Sequence, residues 1–218
     1  HATAEKRYYP LAQEVITGTY VGDYDYVLDL LDRCYFPTRE GVANFHDNFV
    51  DALILAGEEK IAEGKVEQAV TLYKKAFTYP ENHQVFLVDE RATHDAQINY
   101  CLGEAYAALG QDAEAEKYWK LAAEQDYELK GSKDFRYWTG LALERLGRKA
   151  EAEAIFSALV ADGEAAVVTQ HVNFYGAEGT TGVTVDIINS AAYYTQALGH
   201  LGLGHRGKAK RLFAEVQR

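Results

Sequence analysis

Five glycines punctuate this chain, each followed after five residues by a small residue and four residues later by a bulky apolar or aromatic one. The sets are Gly22/Val27/Leu31, Gly64/Ala69/Tyr73, Gly110/Ala115/Trp119, Gly147/Ala152/Phe156 and Gly204/Ala209/Phe213. Few folds admit such a recurrence. A unit this short cannot bury its own apolar face, so neighbouring units must stack to build a continuous core.

Between successive turn glycines lies a second helical pattern, and each unit reads as helix A, tight turn, helix B. In the third unit Tyr100, Cys101, Ala105, Ala108 and Leu109 form one apolar stripe before Gly110. Ala113, Ala115, Tyr118, Trp119 and Ala122 form another after it. The fourth unit repeats this with Tyr137, Trp138, Leu141 and Leu146, then Gly147, then Ala152, Ile155, Phe156 and Leu159. Spacings of three and four are those of a helix, not a strand. The glycine permits a turn backbone that a Cβ opposes. The small residue lets helix B approach helix A, and the bulky one fills the space between them. A further Gly57, Gly103, Gly140 or Ala197 stands seven residues before its turn. Close packing there offsets the roughly 1 kcal/mol that a helix-interior glycine costs relative to alanine.

The turn glycines are 42, 46, 37 and 57 residues apart, against about 34 for an uninterrupted helix-turn-helix array. The extra residues fall at 35–44 with Pro37 and Gly41, at 79–93 with Pro80-Glu81-Asn82, and at 127–133 with Gly131-Ser132. The largest insertion spans about 165–189. Its β-branched run (Val167, Val168, Thr169, Val172) crosses glycines 176 to 182 and returns with Val183, Thr184 and Val185. That pattern predicts a small hairpin or an ordered loop. The expected fold is all-α, one solenoid domain over 1–218. Its five units lie at about 8–35, 45–78, 94–126, 134–163 and 187–217.

Composition narrows the function classes. A net charge of −11 argues against nucleic acid and against anionic lipid, both of which need a clustered basic face. No stretch approaches the roughly 18 uninterrupted apolar residues of a membrane span. Cys34 and Cys101 fall on the apolar sides of their helices in different units, which predicts buried free thiols. They suggest neither a disulfide framework nor a metal site. The chain lacks methionine and begins at His1, which predicts a processed chain or an excerpt of a longer one.

The run Leu102-Gly103-x-x-Tyr106, Leu109-Gly110, Ala115 and Trp119 resembles the tetratricopeptide repeat (TPR). The match is fullest in units two to four. The first unit departs from it, with Val27 where alanine is usual. The resemblance implies a right-handed superhelix whose A helices line a concave binding groove. A narrower resemblance rests on Arg33-Cys34-Tyr35-Phe36-Pro37 with Gly41, on Tyr79-Pro80-Glu81-Asn82, and on Leu198-Gly199-His200-Leu201-Gly202-Leu203-Gly204. It is to the TPR half of large bacterial proteins with β-rich domains linked to carbohydrate processing. Thr38-Arg39 and the stretch from His171 to Asn189 depart from that pattern. The narrower resemblance implies an accessory role beside carbohydrate chemistry and a bacterial setting, either cytoplasmic or, after processing, exported.

With the units aligned, Tyr100, Tyr137 and Tyr194 share one groove position, joined by Tyr9 and Tyr20 from the first unit. Polar neighbours on that face are Asp51, Glu58, Gln97, Glu104, Asp134, Glu144 and Arg145. Tyrosines offer apolar area with a polar tip at low entropic cost, which suits an extended peptide with basic residues or a sugar chain. The opposing reading packs these rings between adjacent A helices. Other constellations are weaker. The glycine loop 176–182 lacks the Lys and Ser/Thr ending of a phosphate loop. The seven histidines lack metal-binding spacing, and His171, Asp186 and Ser190 share only their residue types with a nucleophilic site.

Charge is distributed unevenly. Glu14, Asp23, Asp25, Asp29, Asp32, Glu40, Asp47 and Asp51 stand against Arg33 and Arg39, whereas Arg206, Lys208, Lys210, Arg211 and Arg218 stand against Glu215. Opposite charge at the two termini favours end-to-end contact between copies. The expected function is non-catalytic: a scaffold binding a protein or peptide in the groove, with no cofactor or metal. Self-assembly into a ring or filament and a carbohydrate-linked accessory role are the alternatives.

Overall fold

A computed structural model describes residues 8–36, 45–78, 80–83, 92–125, 135–168 and 181–217. Among them lie ten helices: α1 (Tyr8–Val21), α2 (Tyr24–Arg33), α3 (Phe45–Ala62), α4 (Val66–Lys75), α5 (Ala92–Ala108), α6 (Asp112–Ala123), α7 (Arg136–Arg145), α8 (Lys149–Ala166), α9 (Thr181–Gly202) and α10 (Arg206–Val216). No strand occurs among the described residues, and the all-α repeat architecture is that expected from the glycine frame. The chain divides into two compact units, His1–Tyr118 and Trp119–Arg218.

All five turn glycines adopt positive φ, between 70° and 81°. Each turn closes with the same pair of backbone bonds. The glycine N–H donates three residues back, and the next N–H donates five residues back, as in Gly64 to Ile61 at 2.9 Å and Lys65 to Lys60 at 2.8 Å. This pairing caps the last carbonyls of helix A. The residue after the glycine then begins helix B. Its carbonyl accepts from the small residue of the frame, Val27, Ala69, Ala115, Ala152 or Ala209, at 3.0 to 3.2 Å. A two-residue link thus ends one helix and starts the next. All five small residues are buried.

The bulky position explains the second glycine. A Cβ added at Gly57 would lie 2.2 Å from the Tyr73 ring, and one at Gly140 would lie 2.3 Å from the Phe156 ring. Each ring therefore rests on bare helix backbone, an approach no other residue type allows. Cys34 and Cys101 are buried and free, as expected.

In unit 1 the A helices α1, α3 and α5 approach one another backbone to backbone in sequence, while the B helices α2 and α4 stand further apart and are linked through the Lys75–Asp32 ion pair. The A layer of that unit is therefore the more closely spaced. The segments between repeats are tied down from a distance. Asn82 Nδ2 donates to Leu31 O at 2.8 Å and to Cys34 O at 2.5 Å, and Phe36 N donates to Asn82 O at 2.8 Å. His83 Nε2 donates to Leu31 O at 2.8 Å, and its ring stands edge-on to Phe36 and Phe49. The two sequence runs around Cys34 and Asn82 are therefore one structural feature: the second run caps the end of α2.

In unit 2 the flanks of the 165–189 insertion that are described are helical at 165–166 and from Thr181 onward, so the return strand of the hairpin alternative is helix instead. Val183, Thr184 and Val185 lie in α9, which begins at Thr181, six residues before the expected start of that unit. Residues 169–180, with His171 and most of the glycine loop, lie outside the described residues. Branched side chains disfavour a helix only weakly, and the long contact of α8 with α9 outweighs that preference. Val168, expected in a hairpin or an ordered loop, pairs both backbone groups with the Asn189 amide at 2.9 and 3.1 Å. Gly163 and Gly199 bring the two helices to backbone contact. A Cβ on Gly163 would meet Ala192 O at 2.7 Å, and one on Gly199 would meet Phe156 O at 2.6 Å.

Candidate functional site

The expected groove residues differ in what surrounds them. Tyr137 is 9% exposed and belongs to the core of unit 2, packed against Trp138 and Phe156. Tyr194 is 41% exposed and stands edge-on to Phe213. Tyr100 is half-buried in unit 1, and Tyr20 is 88% exposed at the end of α1. One helical position thus holds a core ring in one repeat and a surface ring in another. Asp134 and the Tyr9 side chain lie outside what is described.

Glu144 and Arg145 are exposed, and the Arg145 guanidinium lies 5.9 Å from the centre of the Trp119 ring. In the same unit Arg136 pairs with Asp162. Both arginines thus meet a partner within the unit.

Unit 1 differs. Asp47, Asp51 and Glu58 lie at helical spacing along α3, and His94, Gln97, Cys101 and Glu104 do so along the adjoining α5. His94 Nε2 lies 3.1 Å from Asp47 Oδ1 at one end of the pair. Desolvation by packed neighbours raises the Asp51 carboxyl above its ordinary range although its side chain reaches solvent; His94 opposes the shift and Asp47 adds to it. Burial alone raises Glu58. Beneath them, burial pushes the Cys101 thiol far up, and the charges of Glu58 and Glu104 push it further. Among the described residues no lysine or arginine pairs with Asp47, Asp51 or Glu58.

The sequence frame brought Gln97, Tyr100, Glu104, Asp51 and Glu58 to this face but missed His94 and Asp47. Their signal was available, since both fall on the same helical stripes. No group of three or more His, Cys, Asp or Glu among the described residues is placed to hold a metal ion, and no described helix is long and apolar enough to cross a membrane.

No family model matches the chain, and no curated protein matches it. Two solved structures match the chain. One is YrrB, described as a TPR protein with an unusual peptide-binding site: 15% identity, 96% of this chain and 84% of that one, TM-score 0.34. The other is MamA from AMB-1: 19% identity, 93% of this chain and 96% of that one, TM-score 0.35.

Proposed function

We propose that the chain is a binding scaffold whose α3–α5 face in unit 1 takes a basic segment of a protein partner. The observation that carries this reading is the row of carboxylates, Asp47, Asp51 and Glu58, with Glu104 opposite and no lysine or arginine paired with the first three among the described residues. Carboxylates held near one another and partly desolvated carry an electrostatic cost that an incoming lysine or arginine relieves. Gln97 supplies a neutral hydrogen-bonding group and Tyr100 an aromatic edge beside them. The face follows the two helices lengthwise, so it suits an extended segment rather than a compact ligand.

A labelled peptide of alternating lysine and alanine, followed by fluorescence anisotropy, tests the reading. Charge-assisted bonds are each worth about 1.5–3 kcal/mol, so Asp51→Asn with Glu58→Gln should weaken binding by tenfold or more. Glu144→Gln in unit 2 should leave it unchanged. Equal binding by wild type and the double variant sinks the proposal.

A further inference from the structure

The five hairpin turns balance their charge in different ways. At the second turn Lys60 and Lys65 both pair with Glu63, at 3.3 and 2.9 Å. At the third Lys117 pairs with Glu114 at 3.0 Å, and at the fourth Arg148 grips Glu151 through two nitrogens, at 2.7 and 2.6 Å. Each inner turn thus carries its own counter-ion.

The first and last turns do not. At the first, Asp23 and Asp25 are exposed, and neither meets a cation among the described residues. Beside them Tyr20 and Val21 are 88% and 73% exposed, the most open large apolar side chains described. The remaining acids of α2 are answered locally, Asp29 by Arg33 at 2.7 Å and Asp32 by Lys75 at 2.8 Å. Among the described residues, the unpaired acids of the α1–α2 hairpin are therefore those at its tip.

The last turn has the opposite sign. Gly204, His205, Arg206, Gly207, Lys208 and Arg211 line a shallow concavity of about 630 Å³. None of its cations meets a carboxylate among the described residues. Helices α2, α4, α6 and α8 each carry an acid in the first turn, whereas α10 carries none and has Arg206 and Lys208 instead. Cations at a helix N-terminus oppose its dipole, so this arrangement weakens the helix unless an anion arrives from outside. Leu201, 37% exposed, adds apolar surface at the end of α9.

We infer that the first turn of one copy docks into the last turn of another. Asp23 and Asp25 meet Arg206, Lys208 and Arg211, and the Tyr20–Val21 pair covers apolar surface beside Leu201. A second copy is the occupant because the chain itself presents both halves: one unbalanced acidic tip with exposed apolar side chains, and one unbalanced basic concavity. The contact joins two different surfaces, so it is heterologous, and its geometry decides between a closed ring and an open chain.

Sedimentation velocity on the whole chain, over a range of concentrations, tests this. Association should weaken about tenfold or more between roughly 0.05 M and 0.5 M salt, because the contact is charged and exposed. Lys208→Glu with Arg211→Glu should abolish it, and so should Asp23→Lys with Asp25→Lys. An equimolar mixture of the two double variants should restore it, since the reversed tips then match. If either reversed variant loses its helical circular dichroism, the neutral versions, Asp23→Asn/Asp25→Asn and Lys208→Gln/Arg211→Gln, replace it with a smaller loss expected. A wild-type chain that stays monomeric at low salt overturns the inference. So does association indifferent to either variant, or a mixture that stays apart. None of these residues lies on the α3–α5 face, so the two proposals fail separately.

Discussion

Units 1 and 2 share the same turn, the same buried small residue and the same ring-on-glycine contact, yet they use the A-helix surface differently. Unit 2 draws its helices together until backbone meets backbone at Gly163 and Gly199, and of its two tyrosines at the shared groove position Tyr137 sinks into the core while Tyr194 stays at the surface. Unit 1 leaves that position half-buried and lines the neighbouring face with carboxylates that no lysine or arginine balances among the described residues. Architecture and surface are therefore separable: the repeat frame sets where helices lie, and the residues between frame positions set what the surface offers.

The largest expected contrast is in core dependence. Phe156 is fully buried, and its ring lies under both Gly140 and Gly202, whereas the Tyr73 ring serves Gly57 alone. Phe156→Ala should cost about 3–5 kcal/mol. Both tryptophans, Trp119 and Trp138, belong to unit 2, so fluorescence follows that unit while circular dichroism follows the whole chain. The fluorescence transition in denaturant should move to lower concentration. A larger loss from Tyr73→Ala would reverse the contrast.

A smaller contrast is expected in acid. Burial lowers the His83 pKa from its ordinary 6.5; the Leu31 carbonyl and Asp32 oppose the shift, and Lys75 adds to it. The stability His83 contributes is present above the unfolded value of 6.5 and is lost as pH falls towards the lower folded value. His200 in unit 2 shifts the same way, through burial, Lys208 and His205. In His83, however, Nδ1 is fully buried and makes no hydrogen bond, so a proton there gains a charge without an acceptor. Denaturant midpoints at about pH 7.5 and pH 5.5 should fall, and His83→Gln should flatten the slope. An unchanged slope would remove His83 as the cause.

The smallest effect has the opposite sign. Asp51 and Glu58 have raised folded pKa values, so the stability they contribute is present in acid and lost as pH rises through those values. At neutral pH, Asp51→Asn and Glu58→Gln should leave the fold as stable as wild type or slightly more so, while impairing capture of a basic peptide. A stability loss in thermal melts would mark these carboxylates as structural and weaken the binding reading.

Much of the fold is legible in the sequence. Positive φ is expensive for any side chain but nearly free for glycine, so Gly22, Gly64, Gly110, Gly147 and Gly204 announce five turns without reference to distant residues. The stretch 181–187 was less legible, because Val183, Thr184 and Val185 have strand-like preferences worth only tenths of a kcal/mol each and the α8 contact decides against them. The same holds for Asn82, whose role as a cap for α2 depends on a helix end some fifty residues earlier.

The candidate surfaces divide along the same line. By itself the sequence determined the helix-turn-helix frame, the burial of Cys34 and Cys101, and the presence of acidic and basic stretches, since all of these follow from local spacing and residue type. Only the tertiary structure decided which charges are answered. Asp29, Asp32 and Glu151 have counter-ions within reach, while Asp23, Asp51 and Lys208 meet none among the described residues. Ion pairing depends on side-chain positions a few ångströms apart, and those are set by helices packing across the fold rather than by order along the chain.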